Sequence, residues 1–174
     1  MKKTRKHTGK SKDLTEDKLL DNLHKLEYII YMQTFMPFPD FKLTARSLDF
    51  KRQGKQRVEA MQILQTLTGL NKSKAWGNHP AVKMWRGYEM ALAEYAYTIC
   101  DEWTSKGYKD TCKAKIKDII QTHYKHSKII YPPWLGKEEF HNSHKSNLVR
   151  KKPDHYKPIF GDIPDDLPYI WPTT

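Results

Sequence analysis

Glu59 follows Lys51, Arg52, Lys55 and Arg57 within the stretch Leu48 to Leu64. At about 100° per residue, Arg52, Lys55, Glu59, Gln62 and Thr66 share one polar stripe of a helix, and Val58, Ala60, Met61, Ile63, Leu64 and Leu67 cover the opposite arc. A carboxylate on a cationic face suits acid–base or charge-stabilising chemistry on a polyanion held by the cations. The same spacing also fits an ordinary surface ion pair with Lys55, one turn earlier. A second cluster, His141, Ser143, His144, Lys145, Ser146 and Asn147 followed by Arg150, Lys151 and Lys152, mixes hydroxyl, amide and cationic donors. Such a mixture is expected of DNA phosphate contacts, with a solvated basic turn as the plain alternative. Histidines three apart can share a metal, but no cysteine or clear third ligand accompanies them, and no metal is expected. Trp76, Trp134 and Trp171 fall outside the long helical stretches; each suits a wedge in kinked DNA or a stacking surface, or simple packing.

These residues need elements to carry them, and composition limits the choice. The chain has 174 residues, one domain of common size plus a tail, with 31 Lys and Arg against 20 Asp and Glu for a net charge of +11. A basic chain with many tryptophans and tyrosines points to a nucleic-acid partner. No apolar run reaches the roughly 20 residues of a membrane span, and no secretory segment is evident. Cys100 and Cys112 fit neither a disulfide framework nor a zinc knuckle, so an intracellular setting is expected, cytoplasmic or nuclear and compatible with a virus.

Along the chain, residues 1–12 hold five Lys and one Arg with no acid, which predicts a disordered basic arm. Apolar spacing predicts an amphipathic helix over 13–31 and a main domain over 32–174. Pro37 and Pro39 keep Met32 to Asp40 extended. A short helix is expected near 40–48, the Glu59 helix from about Asp49 to Thr68, and a polar loop over Asn71 to Asn78. A long helix should run from His79-Pro80 to about Lys106, with Trp85, Tyr88, Leu92, Tyr95, Ile99 and Trp103 as its buried stripe, closed by Gly107. Another helix is expected over Asp110 to His126, then short helices and loops after Pro132-Pro133-Trp134. Strand alternation is not evident, so the fold class is all-α, a compact single-domain helical bundle with an irregular, proline- and aromatic-rich C-terminal region.

Three segments resemble the pyrimidine-dimer DNA glycosylase family, of the phage endonuclease V type, and more closely its relatives that open on a Met-Gln-Thr-Phe-like sequence. The first is Met32-Gln-Thr-Phe-Met-Pro-Phe-Pro-Asp40 running into Leu48-Asp49 and Lys51-Arg-Gln-Gly-Lys-Gln-Arg-Val-Glu59. The second is His79-Pro-Ala-Val-Lys-Met-Trp-Arg-Gly-Tyr88 continuing to Lys106-Gly-Tyr-Lys-Asp-Thr111. The third is Pro133-Trp-Leu-Gly136 with Phe140-His-Asn-Ser-His-Lys-Ser-Asn-Leu-Val-Arg-Lys151 and Pro153-Asp-His-Tyr156.

The resemblance implies a compact all-α enzyme that needs no metal or cofactor and acts, as a monomer, on double-stranded DNA carrying damaged bases. An amine attacks the sugar C1′, cuts the glycosidic bond of an ultraviolet-induced pyrimidine dimer and leaves a Schiff base, from which lyase chemistry can break the backbone. The family's catalytic glutamate aligns with Glu59. Its expected role is to stabilise the sugar cation, and its cationic neighbours are expected to lower its pKa and keep it ionised. In the phage branch the nucleophile is the α-amine of a terminal threonine. Here the nearest is Thr34, preceded by more chain, so its nitrogen is an amide. The amine could come from initiation or cleavage near Met32, or from a lysine such as Lys51 or Lys55; alternatively, the enzyme activates water or has lost activity. The competing readings are a glycosylase for another base and a non-catalytic DNA-binding protein on the same scaffold.

Overall fold

A computed structural model describes residues 32–71 and 74–172. The arm expected at 1–12 and the helix expected at 13–31 lie outside these residues, and the account that follows concerns the compact unit Gln33–Thr174. Among the described residues there are eight helices and no strand, which makes the fold all-α as expected. They are α1 (Phe41–Ser47), α2 (Phe50–Leu67), α3 (Lys74–Gly77), α4 (Pro80–Trp85), α5 (Glu89–Ser105), α6 (Cys112–His123), α7 (Glu138–Lys151) and α8 (Pro153–Phe160).

The Glu59 helix, α2, begins where Asp49 accepts hydrogen bonds from the Lys51 and Arg52 amides, an N-cap that satisfies two of the helix's free donors. It ends before Gly69, whose φ of 76° only glycine adopts without strain. α2 packs chiefly against α5 and also touches α4 and α6, while α7 and α8 pair with each other. Ile63, Leu64, Leu92, Tyr95 and Ile99 are fully buried and form the centre of the core. A second apolar wall joins Trp85 to Trp134 (5.0 Å between ring centroids) and Trp134 to Phe140 (4.7 Å), so the Pro-Trp turn is fastened to α4 and α7.

Two expectations are corrected. The long helix from His79 is two helices, because Gly87 sits at φ 86° and its amide is taken by the Glu89 side chain (3.0 Å), which starts a new helix there. The polar loop at 71–78 contains the short α3. The remaining expected helices appear within a few residues of their predicted ends.

Candidate active site

Residues 33–36 run extended with no strand beside them, and side chains from three helices bind their backbone. Gln56 of α2 donates from Nε2 to the Gln33 carbonyl (2.8 Å) and accepts at Oε1 from the Phe35 amide (2.9 Å). Tyr95 of α5 donates its hydroxyl to the Phe35 carbonyl (3.0 Å) and to Gln56 Oε1 (2.7 Å). From α7, His144 Nδ1 accepts from the Met36 amide (3.0 Å), and His141 Nδ1 bonds the Met36 carbonyl (2.8 Å). These bonds satisfy an extended segment that has no ladder of its own.

The network ends on Glu59. Gln56 Nε2 also donates to Glu59 Oε2 (2.6 Å), Lys55 Nζ lies 3.6 Å from Oε1, and the Gln33 backbone amide hydrogen-bonds the carboxyl. The side chain of Glu59 is 2 % exposed. Burial pushes its pKa up to about 7, against the opposing pull of Lys55, the Gln33 amide and Gln56. The expectation that cations hold it ionised is therefore corrected: loss of water around the carboxylate outweighs a single, half-exposed lysine. Burial together with the Glu59 charge raises Tyr95 and Tyr169 well above the ordinary tyrosine range, so both rings line the same site. Lys151, at the C-terminal end of α7, has its pKa lowered first by lost solvation and then by the charges of Arg52, Lys55 and Arg150, with Glu59 opposing. A buried acid with a near-neutral pKa, edged by Lys55 and Lys151, can hold or take a proton beside a bound polyanion.

The other predicted residues take several places. Thr34 is fully buried; its hydroxyl accepts from Trp85 Nε1 (2.9 Å), and the amide facing Glu59 belongs to Gln33, one residue earlier. Lys51 is exposed on the first turn of α2. Arg52 pairs with Asp49 (2.6 Å), which Tyr156 also bonds (2.7 Å). Arg57 turns to the opposite side of α2, where it pairs with Asp110 and lies over the Trp103 ring at 4.3 Å. In α7, His141, Ser143, His144, Ser146 and Asn147 are all buried. Ser143 and Ser146 accept from the Ile170 and Leu167 amides, and Arg150 donates to the Asp165 and Leu167 carbonyls, so these groups hold the C-terminal segment. Lys145 donates to Asn142 (3.4 Å) and lies over the Phe38 ring; Lys152 is exposed. The tryptophans pack: Trp134 is buried, and Trp171 lies against Tyr169 and His79.

Gln33, Gln56, Tyr95 and Tyr169 were not singled out as site residues. Gln56 stands three residues before Glu59, a spacing that signals a shared helix face; nothing local marks Tyr169, which arrives through the tertiary fold. Among the described residues, no three His, Cys, Asp or Glu side chains come together to hold a metal, and no helix is long and apolar enough to cross a membrane.

The family model described as pyrimidine dimer DNA glycosylase matches residues 32–116 and supports the resemblance drawn from the three segments. That span contains Gln33, Gln56, Glu59 and Tyr95; α7 and Tyr169 lie beyond it. No curated protein and no solved structure matches the chain.

Proposed function

We propose, from the match of residues 32–116 to the pyrimidine dimer DNA glycosylase family model, that the chain is a DNA repair N-glycosylase for ultraviolet-induced pyrimidine dimers and that an amine beside Glu59 performs the attack. The observation that carries this reading is the burial of Glu59 against the Gln33 backbone nitrogen, with Lys55 and Lys151 around it.

In this reaction the amine nitrogen bonds to the sugar C1′ as the C1′–N bond breaks, and the base leaves with that electron pair. The nitrogen then loses a proton and pushes its pair toward C1′ while the ring oxygen takes the C1′–O4′ pair and a proton, which gives an iminium. The Glu59 carboxylate stabilises the positive charge at both stages, and a low-polarity setting strengthens that stabilisation. With a pKa of about 7, the same group can remove the C2′ proton at neutral pH, whereupon the 3′ phosphate leaves with its electron pair. The second step is the lyase activity.

Within an uncut chain the Gln33 nitrogen is an amide and no nucleophile. Cleavage of the Met32–Gln33 bond would turn it into an α-amine already against Glu59. In the uncut chain the candidate amines are those of Lys55, 3.6 Å from the carboxyl, and Lys151; Lys51 lies farther along the helix, on its exposed first turn. Water activated by Glu59 would give a glycosylase without lyase activity.

Borohydride trapping on a duplex with one cyclobutane dimer tests the proposal, using the full chain and Glu59→Gln. A covalent adduct from the full chain, lost in Glu59→Gln, is the expected result, and peptide mapping of the adduct identifies the amine. Alkali-labile sites without an adduct would replace the amine by water. Neither adduct nor alkali-labile sites would remove dimer cleavage as the function.

A further inference from the structure

His141 and His144 grip one residue, Met36, from its two sides. The Gly136 amide donates to His141 Nε2 (2.9 Å), so Nδ1 carries the proton and donates it to the Met36 carbonyl (2.8 Å). The Met36 amide donates to His144 Nδ1 (3.0 Å), so His144 holds its proton on Nε2, and that N–H is buried with no acceptor. An unanswered buried donor is unfavourable, so His144 answers the Met36 amide while leaving its own Nε2–H unanswered. The bond also has a geometric effect, since Met36 lies three residues from Gln33, whose backbone amide meets Glu59.

We propose that His141 and His144 are positioning residues that clamp the Met36 peptide and so hold the Gln33 backbone nitrogen against the Glu59 carboxyl. The role reaches from α7, outside the family-matched span, to the reacting acid, and its catalytic consequence rests on the glycosylase reading above. Both rings must be neutral to do this. Burial holds the His144 pKa down to about 3, with the neighbouring His141 adding to the effect, and burial also lowers His141. The ionisable groups facing the pair are Lys145 and Tyr169; those facing Glu59 are Lys55, Lys151, Tyr95 and Tyr169. Asparagine reproduces the geometry of an imidazole Nδ1, as an acceptor at 144 or a donor at 141.

The test is a carbon NMR titration of the Glu59 carboxyl in the full chain, free of DNA, for wild type, His144→Ala and His144→Asn, with folding followed by circular dichroism. Because the Gln33 amide lowers the Glu59 pKa, slackening the clamp moves the midpoint upward from about 7 in His144→Ala, and His144→Asn restores it. On dimer-containing DNA, kcat of His144→Ala should fall by about 10²-fold, the loss expected of a misplacement near 1 Å, with little change in KM. Should His144→Ala not fold, His141→Ala with His141→Asn carries the same expectation. A folded alanine variant with an unmoved midpoint, or a shift that asparagine fails to reverse, overturns the clamp. A shifted midpoint in a protein that never cleaves dimer DNA would leave the clamp standing and remove the glycosylase reading instead.

Discussion

The two sides of α2 each bury a carboxylate beside a cation, with opposite results. On one side Asp110 is 3 % exposed and Glu59 on the other is 2 % exposed. Burial pushes both upward, but Asp110 accepts from the Lys113 amide (2.8 Å), the Cys112 amide (3.2 Å) and Arg57, and its pKa ends below the ordinary value. Glu59 has a lysine at 3.6 Å, one backbone amide and one side-chain amide, and its pKa ends near 7. Both side chains are nearly inaccessible, but Glu59 lies deeper in the protein and has fewer, more distant donors, and both differences raise it relative to Asp110. A carboxylate that is fully answered serves as structure; one left partly unanswered is ready to exchange a proton.

The sharpest way to break this comparison is to neutralise each acid. Glu59→Gln should lower dimer cleavage by about 10²- to 10⁴-fold, the usual contribution of a positioned acid–base group, while duplex binding persists. At pH 8 its melting temperature should match or exceed that of wild type, because the variant no longer buries a poorly compensated charge. Asp110→Asn should do the reverse: cleavage per folded molecule is kept, while stability to urea falls by about 3–5 kcal/mol, the range for leaving one member of a buried pair alone. Arg57 would suffer further, since its Nε already lacks a partner. Equal stability losses in the two variants would show that both acids serve the fold in the same way.

The pH dependence of stability should separate the sides next. Glu59 has a folded pKa of about 7 against an ordinary 4.5, so between those values the folded state binds more protons than the unfolded one. Its contribution therefore makes stability decline as pH rises from about 4.5 to 7. Asp110 is lowered from 3.8, so the unfolded state binds more protons in acid and stability declines as pH falls below that value. Urea midpoints measured across pH should show that the slope from 4.5 to 7 is shallower in wild type minus Asp110→Asn comparisons than in wild type minus Glu59→Gln comparisons. An identical slope in wild type and Glu59→Gln would mean that the glutamate is not desolvated.

Most helix positions were legible in the sequence because they rest on local spacing. The polar stripe put Lys55 and Glu59 within reach of one another, and Asp49 marked the helix start. Two tertiary effects were not legible. The burial that raises the Glu59 pKa is a property of the tertiary fold, so counting nearby cations gave the wrong direction. In the α7 cluster, residue types suited to phosphates serve instead as internal hydrogen-bonding groups: serine, histidine and arginine bond backbone as readily as DNA. Only the approach of residues 33–36 and 165–170 to α7 reveals that use. The break at Gly87 was likewise not anticipated, and its positive φ belongs to the turn between α4 and α5.

Gly54 offers the smallest and most local test, because it lies on the Asp110 side of α2. As a residue in mid-helix it reads as a weak point, and alanine should by propensity add about 1 kcal/mol. A Cβ there, however, would stand 3.0 Å from Trp103 Cζ3 and 3.1 Å from Cη2. The indole cannot easily retreat: its Nε1 donates to the Lys109 carbonyl (2.9 Å), Phe50 stacks on it at 5.0 Å and Arg57 lies over it at 4.3 Å. Overpacking a pinned ring costs about 1–3 kcal/mol, more than the helix gains, so Gly54→Ala should be less stable than wild type by roughly 1 kcal/mol, with unaltered cleavage per folded molecule. A calorimetric melt decides the sign. A higher melting temperature would mean that Trp103 and Arg57 shift freely, and that the side of α2 built around Asp110 is as adaptable as the side built around Glu59.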